Sequence, residues 1–170
     1  MAVENKYVNA DIVAKKKPKS VFNEGARTFT IITTEEIAAA DTDASVYRMV
    51  KAIDPHLIPV DFQLYNDAIT SATSYDVGLY ETTFEDGVDG AVISKALFLS
   101  AEDISAGNGR TSAANALAAV DVADAGKSIM ELAGHTLATK KLGYDICITA
   151  NTVGSIAGTV TLVMTFAEGH

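Results

Sequence analysis

The sequence predicts a mainly-β protein: a β-sandwich, jelly-roll-like, with one short helix and an extended N-terminal arm. Three observations predict this fold. Polar and apolar residues alternate with a period of two in several stretches, and turn-forming residues separate these stretches. Only one stretch carries both the start and the stop signal of a helix. The chain has 170 residues, a length that supports one domain with its own core plus an ordered arm.

The first 26 residues differ from the rest of the chain and predict the arm. They show little apolar periodicity, and a basic run there, Lys15, Lys16, Lys17 and Lys19, is interrupted by Pro18. Proline lacks an N–H and fits neither a helix interior nor a central strand. We therefore divide the chain into an extended N-terminal arm, residues 1–26, and a β-sandwich body, residues 27–170.

Alternating stretches predict the strands of the body. Residues 28–33, 58–65, 75–80 and 159–166 alternate clearly. Successive side chains of a strand point to opposite faces, so each stretch should have one face in a core. Residues 144–149 also have strand character, and residues 45–50 and 91–99 are weaker candidates. Turn-forming residues separate these stretches, which predicts seven or so short strands. The turns are at Asp54-Pro55, Asn66-Asp67, Glu85-Asp86-Gly87, Asp89-Gly90 and Gly107-Asn108-Gly109.

In the stretch 58–65, the alternation predicts which side chains face the core. We expect Ile58, Val60, Phe62 and Leu64 on that face. Pro59 predicts that this strand lies near a sheet edge, or that the proline stands at the start of its pairing.

One helix is predicted to start at Ser128. Ser128 and Glu131 have the spacing of a capping box, in which each side chain accepts from the other residue's backbone N–H. Gly134 can end the helix in the left-handed conformation. Residues 35–40 also break the strand alternation but are too short to predict a helix.

The charge is unevenly distributed. Residues 1–27 hold six basic and three acidic groups, a net charge of +3; because the whole chain carries −9, residues 28–170 carry −12. Nucleic-acid binding depends on neutralising phosphates with Lys and Arg, so the acidic body argues against a nucleic-acid partner. The lysine run itself fits a solvated basic segment, a localisation signal or a nucleic-acid arm.

The motif search predicts no catalytic residue, no metal ligand and no cofactor. Gly126-Lys127-Ser128 resembles the end of a phosphate-binding loop, but that loop needs glycine where this chain has Asp121. Residues 85–90 are rich in oxygen ligands without the spacing of an EF-hand, and Gly107-Asn108-Gly109 lacks the third glycine of a dinucleotide fingerprint. No serine stands in a hydrolase elbow.

The histidines and the single cysteine predict no site either. His56, His135 and His170 lie far apart, without the spacing of a zinc site. Cys147 is the only cysteine and should be a buried, inert thiol in a strand. No apolar run approaches the roughly 18 residues that span a bilayer. Residues 1–6 lack the charged and then apolar regions of a signal peptide. We expect a soluble protein that does not contact membranes.

Six segments, in order and spacing, resemble the decoration (cement) proteins encoded beside the major capsid protein of tailed phages. Together they cover roughly residues 25–168, so the resemblance leaves the arm out. The segments are VYRMV at 46–50, LIPV at 57–60, YNDAI at 65–69, ATSYDVGLY at 72–80, IMELAGH at 129–135 and AGTVTLV at 157–163.

The resemblance implies a β-sandwich body with an extended terminal arm, attached in many copies to the outside of a capsid. It implies no catalysis and no cofactor. Its partners would be the major capsid protein and further copies of itself, with a trimer preferred over a dimer because decoration sites lie on local symmetry axes. The protein would be found on the virion exterior, and in the host cytoplasm during assembly. We further expect Lys15, Lys16, Lys17 and Lys19 to face acidic groups of the shell.

Two other classes of function remain open. A carbohydrate-binding module on the virion surface would stack sugar rings on aromatic side chains; the chain has no Trp, and Tyr65, Tyr75 and Tyr80 would have to serve. An enzyme, such as a metal-dependent hydrolase, has no motif to support it.

Overall fold

A computed structural model of the chain describes residues 27–82, 90–109, 111–139 and 141–168. These residues form eight strands, one 3₁₀ turn at Val122–Asp124 and one short helix, α1, at Ile129–Leu132. The strands are β1 (Thr28–Ile37), β2 (Ser45–Ile53), β3 (Ile58–Asn66), β4 (Ser74–Glu81), β5 (Val92–Glu102), β6 (Ala114–Asn115), β7 (Tyr144–Thr152) and β8 (Gly158–Ala167).

The strands form two antiparallel sheets of four strands each. The first sheet has the order β1-β8-β3-β6 and the second has the order β2-β7-β4-β5. The pairs β1·β8, β2·β7, β3·β6 and β4·β5 are those of one long hairpin whose two arms have been folded over together, which is the jelly-roll arrangement. The predicted β-sandwich with one short helix is confirmed.

The core lies between the inner faces of the two sheets. Phe62 of β3 packs edge-on against Phe98 of β5 and against Phe166 of β8, with ring centroids 5.2 and 5.1 Å apart. On β8 the alternation predicted from the sequence is confirmed, since Val160, Leu162, Met164 and Phe166 are all buried. Burying a side chain of this size stabilises the fold by roughly 1.5–3 kcal/mol.

The start of β3 departs from the predicted alternation. The pairing of β3 with β8 shifts register between Pro59 and Asp61, which is the signature of a bulge. Phe62 and Leu64 are fully buried as predicted, but Val60 is 53% exposed. The prediction of Val60 as a core residue is therefore wrong, because the bulge turns its side chain outward. Pro59 stands at the start of pairing, as predicted.

Two weaker strand predictions are confirmed, and one irregular stretch is reassigned. Residues 45–50 lie within β2, and most of 91–99 lies within β5. Residues 35–37, expected to break the pattern, are the last residues of β1 and pair with β8. β6 is a two-residue strand that the sequence did not predict.

Helix α1 begins as the sequence predicts. The Ser128 backbone N–H donates to the Glu131 carboxylate at 2.8 Å, and the Ser128 hydroxyl accepts from the Glu131 backbone N–H at 3.4 Å. After the helix, Gly134 has a φ of +72°, and the N–H of His135 donates to the carbonyl of Met130 at 3.0 Å. These contacts are a capping box and a Schellman ending.

Candidate docking surface

The outer face of the second sheet is covered by the chain itself. The side chains that point away from the core on β4 and β7 are nevertheless buried: Asp76, Tyr80, Asp145, Cys147 and Thr149. The cover is the first half of β5. Its pairing with β4 jumps from Leu99, opposite Val77, to Ser94, opposite Leu79, so several β5 residues arch over the neighbouring strand. A Cβ on Gly78 would clash with the backbone carbonyls of Ser94 and Lys95.

Asp145 is the first polar anchor beneath this cover. Its side chain is fully buried and forms an ion pair with Arg48 of β2. It also accepts from the backbone N–H of Ala52 at 2.9 Å and from the hydroxyl of Thr82. The guanidinium of Arg48 lies 5.6 Å from the centre of the Tyr80 ring, a cation–π distance. Burial raises the pKa of the Tyr80 hydroxyl above its usual value, so Tyr80 stays neutral in this cluster.

Asp76 is the second anchor and repeats the arrangement on β4. Its carboxylate accepts from the backbone N–H of Ala101 at 2.7 Å and from the side-chain amide of Asn151 at 2.8 Å. The ammonium of Lys95 lies 3.6 Å from the same carboxylate. Because both acids are saturated by their own chain, the interactions on this face hold the fold together.

The residues that the structure describes leave the outer face of the first sheet open. We call it the threonine face. Its β1 and β8 side chains form cross-strand rows, with the hydroxyls of Thr30 and Thr165 3.0 Å apart and those of Thr34 and Thr161 2.9 Å apart. The face consists of Thr28, Thr30, Ile32, Thr34 and Glu36 of β1, Thr159, Thr161, Val163 and Thr165 of β8, and Asp61, Gln63 and Tyr65 of β3.

The middle of the threonine face is apolar. Ile32 is 66% exposed and lies opposite Val163, which in turn lies opposite Gln63. Ile32, Val163 and Tyr65 border a shallow depression, and the Tyr65 hydroxyl donates to the Gln63 amide oxygen. An apolar centre within polar surroundings is the usual composition of a protein–protein contact.

The β1 edge next to this face is also open. Within the part of the chain that the structure describes, β1 pairs only with β8. Its ten residues, Thr28–Ile37, include neither lysine nor proline, and its only charged residues, Glu35 and Glu36, lie near its end. Charged residues and proline are what proteins commonly use to block edge pairing. The uncharged first seven residues of β1, Thr28–Thr34, are a surface on which another strand can pair.

The residues predicted to form sites are placed as follows. The lysines Lys15, Lys16, Lys17 and Lys19 lie outside the described residues, as do His170 and nearly all of the oxygen-rich turn 85–90. Of the three tyrosines considered for stacking sugars, Tyr65 lies on the threonine face, but Tyr75 and Tyr80 are buried. The structure therefore does not bring together on its surface the three tyrosines that the carbohydrate-binding alternative would use.

The described histidines and acids form no metal site. His135 Nδ1 lies 2.6 Å from the hydroxyl of Tyr144, which is a structural contact at the end of α1. Across residues 27–82, 90–109, 111–139 and 141–168, no three His, Cys, Asp or Glu side chains are grouped to hold a metal ion. The helices in those ranges are all too short or too polar to cross a membrane.

Comparison with solved structures gives a likeness that concerns the fold. No family model and no curated protein matches the sequence. Among solved structures, the chain is similar to a chain of the Cyanophage Pam1 capsid asymmetric unit, with a TM-score of 0.50 and 15% sequence identity. The match covers 89% of this chain and 91% of the other. The jelly-roll sandwich is thus shared, along nearly its whole length, with a component of a phage capsid.

Proposed function

We propose that this protein is a capsid decoration (cement) protein, which binds the outer surface of a tailed-phage head and stabilises the lattice of the major capsid protein. The observation that supports this most directly is the asymmetry of the sandwich. One outer face is closed by β5 and two saturated carboxylates, while the threonine face is open with an apolar centre at Ile32 and Val163.

The threonine face suits a rigid, repeated contact. Threonine and valine are stiff at χ1, so they lose little side-chain entropy when they are covered. The hydroxyl pairs Thr30–Thr165 and Thr34–Thr161 are formed before any partner arrives. A contact that is modest in one copy becomes substantial when many copies engage one lattice.

A homo-oligomer is part of the proposal, with a trimer preferred over a dimer. Copies that sit on a local symmetry axis of the shell repeat the same contacts around it. The threonine face and the open β1 edge adjoin each other, so one can meet a second copy while the other meets the shell. The carbohydrate-binding alternative is less favoured, because two of the three tyrosines that it would use to stack sugar rings, Tyr75 and Tyr80, are buried.

The proposal is tested by adding the purified protein to phage heads that lack it. The test variant is Ile32→Lys combined with Thr161→Lys, which places two charges at the centre of the threonine face. The control is Leu142→Lys, at an 86% exposed residue before β7. We expect the control to decorate heads like the wild type and the test variant to bind at least tenfold more weakly, with both folded by circular dichroism. Equal decoration by all three proteins, or a cryo-EM map with a solvent-facing threonine face, would overturn the proposed surface.

A further inference from the structure

A groove lies at the end of the first sheet, where β1 and β3 begin and β8 ends. Its volume is about 630 Å³, and we call it the entry groove. Ile58, Pro59 and Val60 form one wall, and the segment 117–127 forms the other. Thr28 and Ala167 also line it, so the groove reaches the point where the body of the protein starts.

The entry groove is apolar and firmly built. Val122 is 92% exposed and Val60 is 53% exposed on its two sides, an arrangement that leaves large apolar surface in water. The 117–127 wall is held by its own turn bonds, with Val120 N–H donating to Leu117 O at 3.0 Å and Lys127 N–H donating to Asp124 O at 3.0 Å. These turn bonds hold that wall in shape from within the chain itself.

The chain enters the fold beside this groove. The carbonyl of Arg27 accepts from the N–H of Glu168 at 3.0 Å, which fixes the entry point next to the end of β8. Thr28 and Ile58 both pair with Ala167, so the starts of β1 and β3 are two strand spacings apart, about 10 Å. About three extended residues cover that distance. Residues 20–24 therefore come within reach of the groove if the chain crosses the sheet end.

The sequence at this position has the matching chemistry. Between Lys15 and Arg27, Val21 and Phe22 are the large apolar side chains. The rim of the groove carries Asp121, Asp124 and Lys127, of which Asp124 and Lys127 form an ion pair. The lysine run ends two residues before Val21. An apolar pair preceded by cations therefore suits an apolar groove whose rim has a net charge of −1.

We propose that Val21 and Phe22 occupy the entry groove of their own chain. Docking there covers Val60 and Val122, and it fixes the place from which Lys15, Lys16, Lys17 and Lys19 leave the body. The lysine run then leaves the body beside the start of β3. This inference concerns the isolated protein and does not depend on the proposed capsid function.

A pair of introduced cysteines tests the occupant directly. In Phe22→Cys/Val122→Cys, mild oxidation is expected to give an intramolecular disulfide, seen as a faster-migrating monomer on non-reducing gels and as the loss of two reactive thiols. The matched control is Phe22→Cys/Leu142→Cys, whose second position is also highly exposed but does not line the groove; it should give no intramolecular product. Disulfide-linked dimers of the test pair would assign the groove to a second copy's segment, and the absence of any crosslink would reject docking, so either result overturns the proposal.

Thermal unfolding gives a second measurement that needs no crosslink. Phe22→Ala should lower the Tm by about 2–4 °C, the shift that a loss of about 1 kcal/mol causes in a protein of this size. Val13→Ala, an apolar truncation in the same arm but farther from the entry point, should leave the Tm unchanged. Equal Tm values for both variants and the wild type would contradict docking, whatever the protein does on a capsid.

Discussion

The carboxylate of Asp145 on β7 accepts a hydrogen bond of 2.9 Å from the backbone N–H of Ala52 on β2, and Ala52 has a φ of +54°. Asp76 on β4 makes the same contact with Ala101 on β5, whose φ is +53°. Left-handed backbone is costly for alanine, so each buried acid compensates for a strained irregularity in the neighbouring strand. The carboxylates of Asp76 and Asp145 therefore have a structural role.

Asp145→Asn should destabilise the protein by about 3 kcal/mol. The substitution keeps the shape of the side chain but removes the negative charge that pairs with Arg48, and breaking a buried ion pair costs about 3–5 kcal/mol. Arg48 is slightly exposed, at 14%, so the lower end is expected. Urea denaturation measures the change. Asp124→Asn, at the exposed pair with Lys127, is the control and should change stability by less than about 1 kcal/mol. Similar losses in both variants would show that Asp145 is not an anchor.

Gly78→Ala should prevent β5 from lying over β4. The new methyl group would overlap the backbone carbonyls of Ser94 and Lys95, and backbone cannot move aside as a flexible side chain does. We expect a loss of several kcal/mol, at the upper end of single-residue effects, or failure to fold. Gly109→Ala is the matched control, because no atom lies within 4 Å of its Cβ position. Near-native stability of Gly78→Ala, by urea denaturation, would mean that β5 does not cover this face.

The same glycine shows where sequence reasoning succeeded and where it stopped. The alternation at 75–80 predicts that Tyr75, Val77 and Leu79 share one face, and all three are fully buried. A glycine inside a strand indicates close approach of another backbone, so Gly78 was the available signal for the cover. Which segment provides it depends on the register slip of β5, a long-range pairing that no local pattern encodes.

The docking surface was predictable only in part. Alternating threonines in β1 and β8 indicate one polar face for each strand. They do not indicate that β1 and β8, the first and last strands in the sequence, are neighbours in the sheet. The bulge that exposes Val60 arises from pairing between β3 and β8, so period-two reasoning placed that residue in the core. The entry groove is built from segments that are distant in sequence, and it had no local signal.

Ser128→Ala should lower the free energy of unfolding by about 1 kcal/mol, the usual loss when an N-cap is removed.

The capping box also predicts a pH dependence of stability. The Ser128 backbone N–H lowers the pKa of the Glu131 carboxyl below its ordinary value of 4.5. A lowered pKa in the folded state stabilises the protein above pH 4.5, and this stabilisation is lost as the pH falls through the folded pKa.

The stability difference between wild type and Glu131→Gln should therefore shrink as the pH falls below 4.5. Gln keeps the spacing of the capping box without the charge, so the comparison isolates ionisation. Urea denaturation between neutral and acidic pH measures the difference. A difference that stays constant across this range would show that the charged form of Glu131 does not favour the folded state.

The lysine run should contribute to capsid binding in a salt-dependent way. Replacing Lys15, Lys16, Lys17 and Lys19 with glutamine removes four charges from a segment of net charge +3 attached to a body of −12. Each exposed pair contributes roughly 0–1 kcal/mol and is screened by salt, so the main effects should be on the docking rate and on affinity at low salt.

Binding to empty, DNA-free heads measures this contribution. The glutamine variant should bind more weakly than wild type at low salt, and the two should converge at high salt. Replacing the same lysines with arginine keeps the charge and should restore binding, which separates electrostatic attraction from a specific lysine contact. If the arm instead reaches packaged DNA, the glutamine variant will bind empty heads as tightly as wild type and will bind more weakly only to DNA-filled heads. That outcome would reject the shell as the partner of the lysine run.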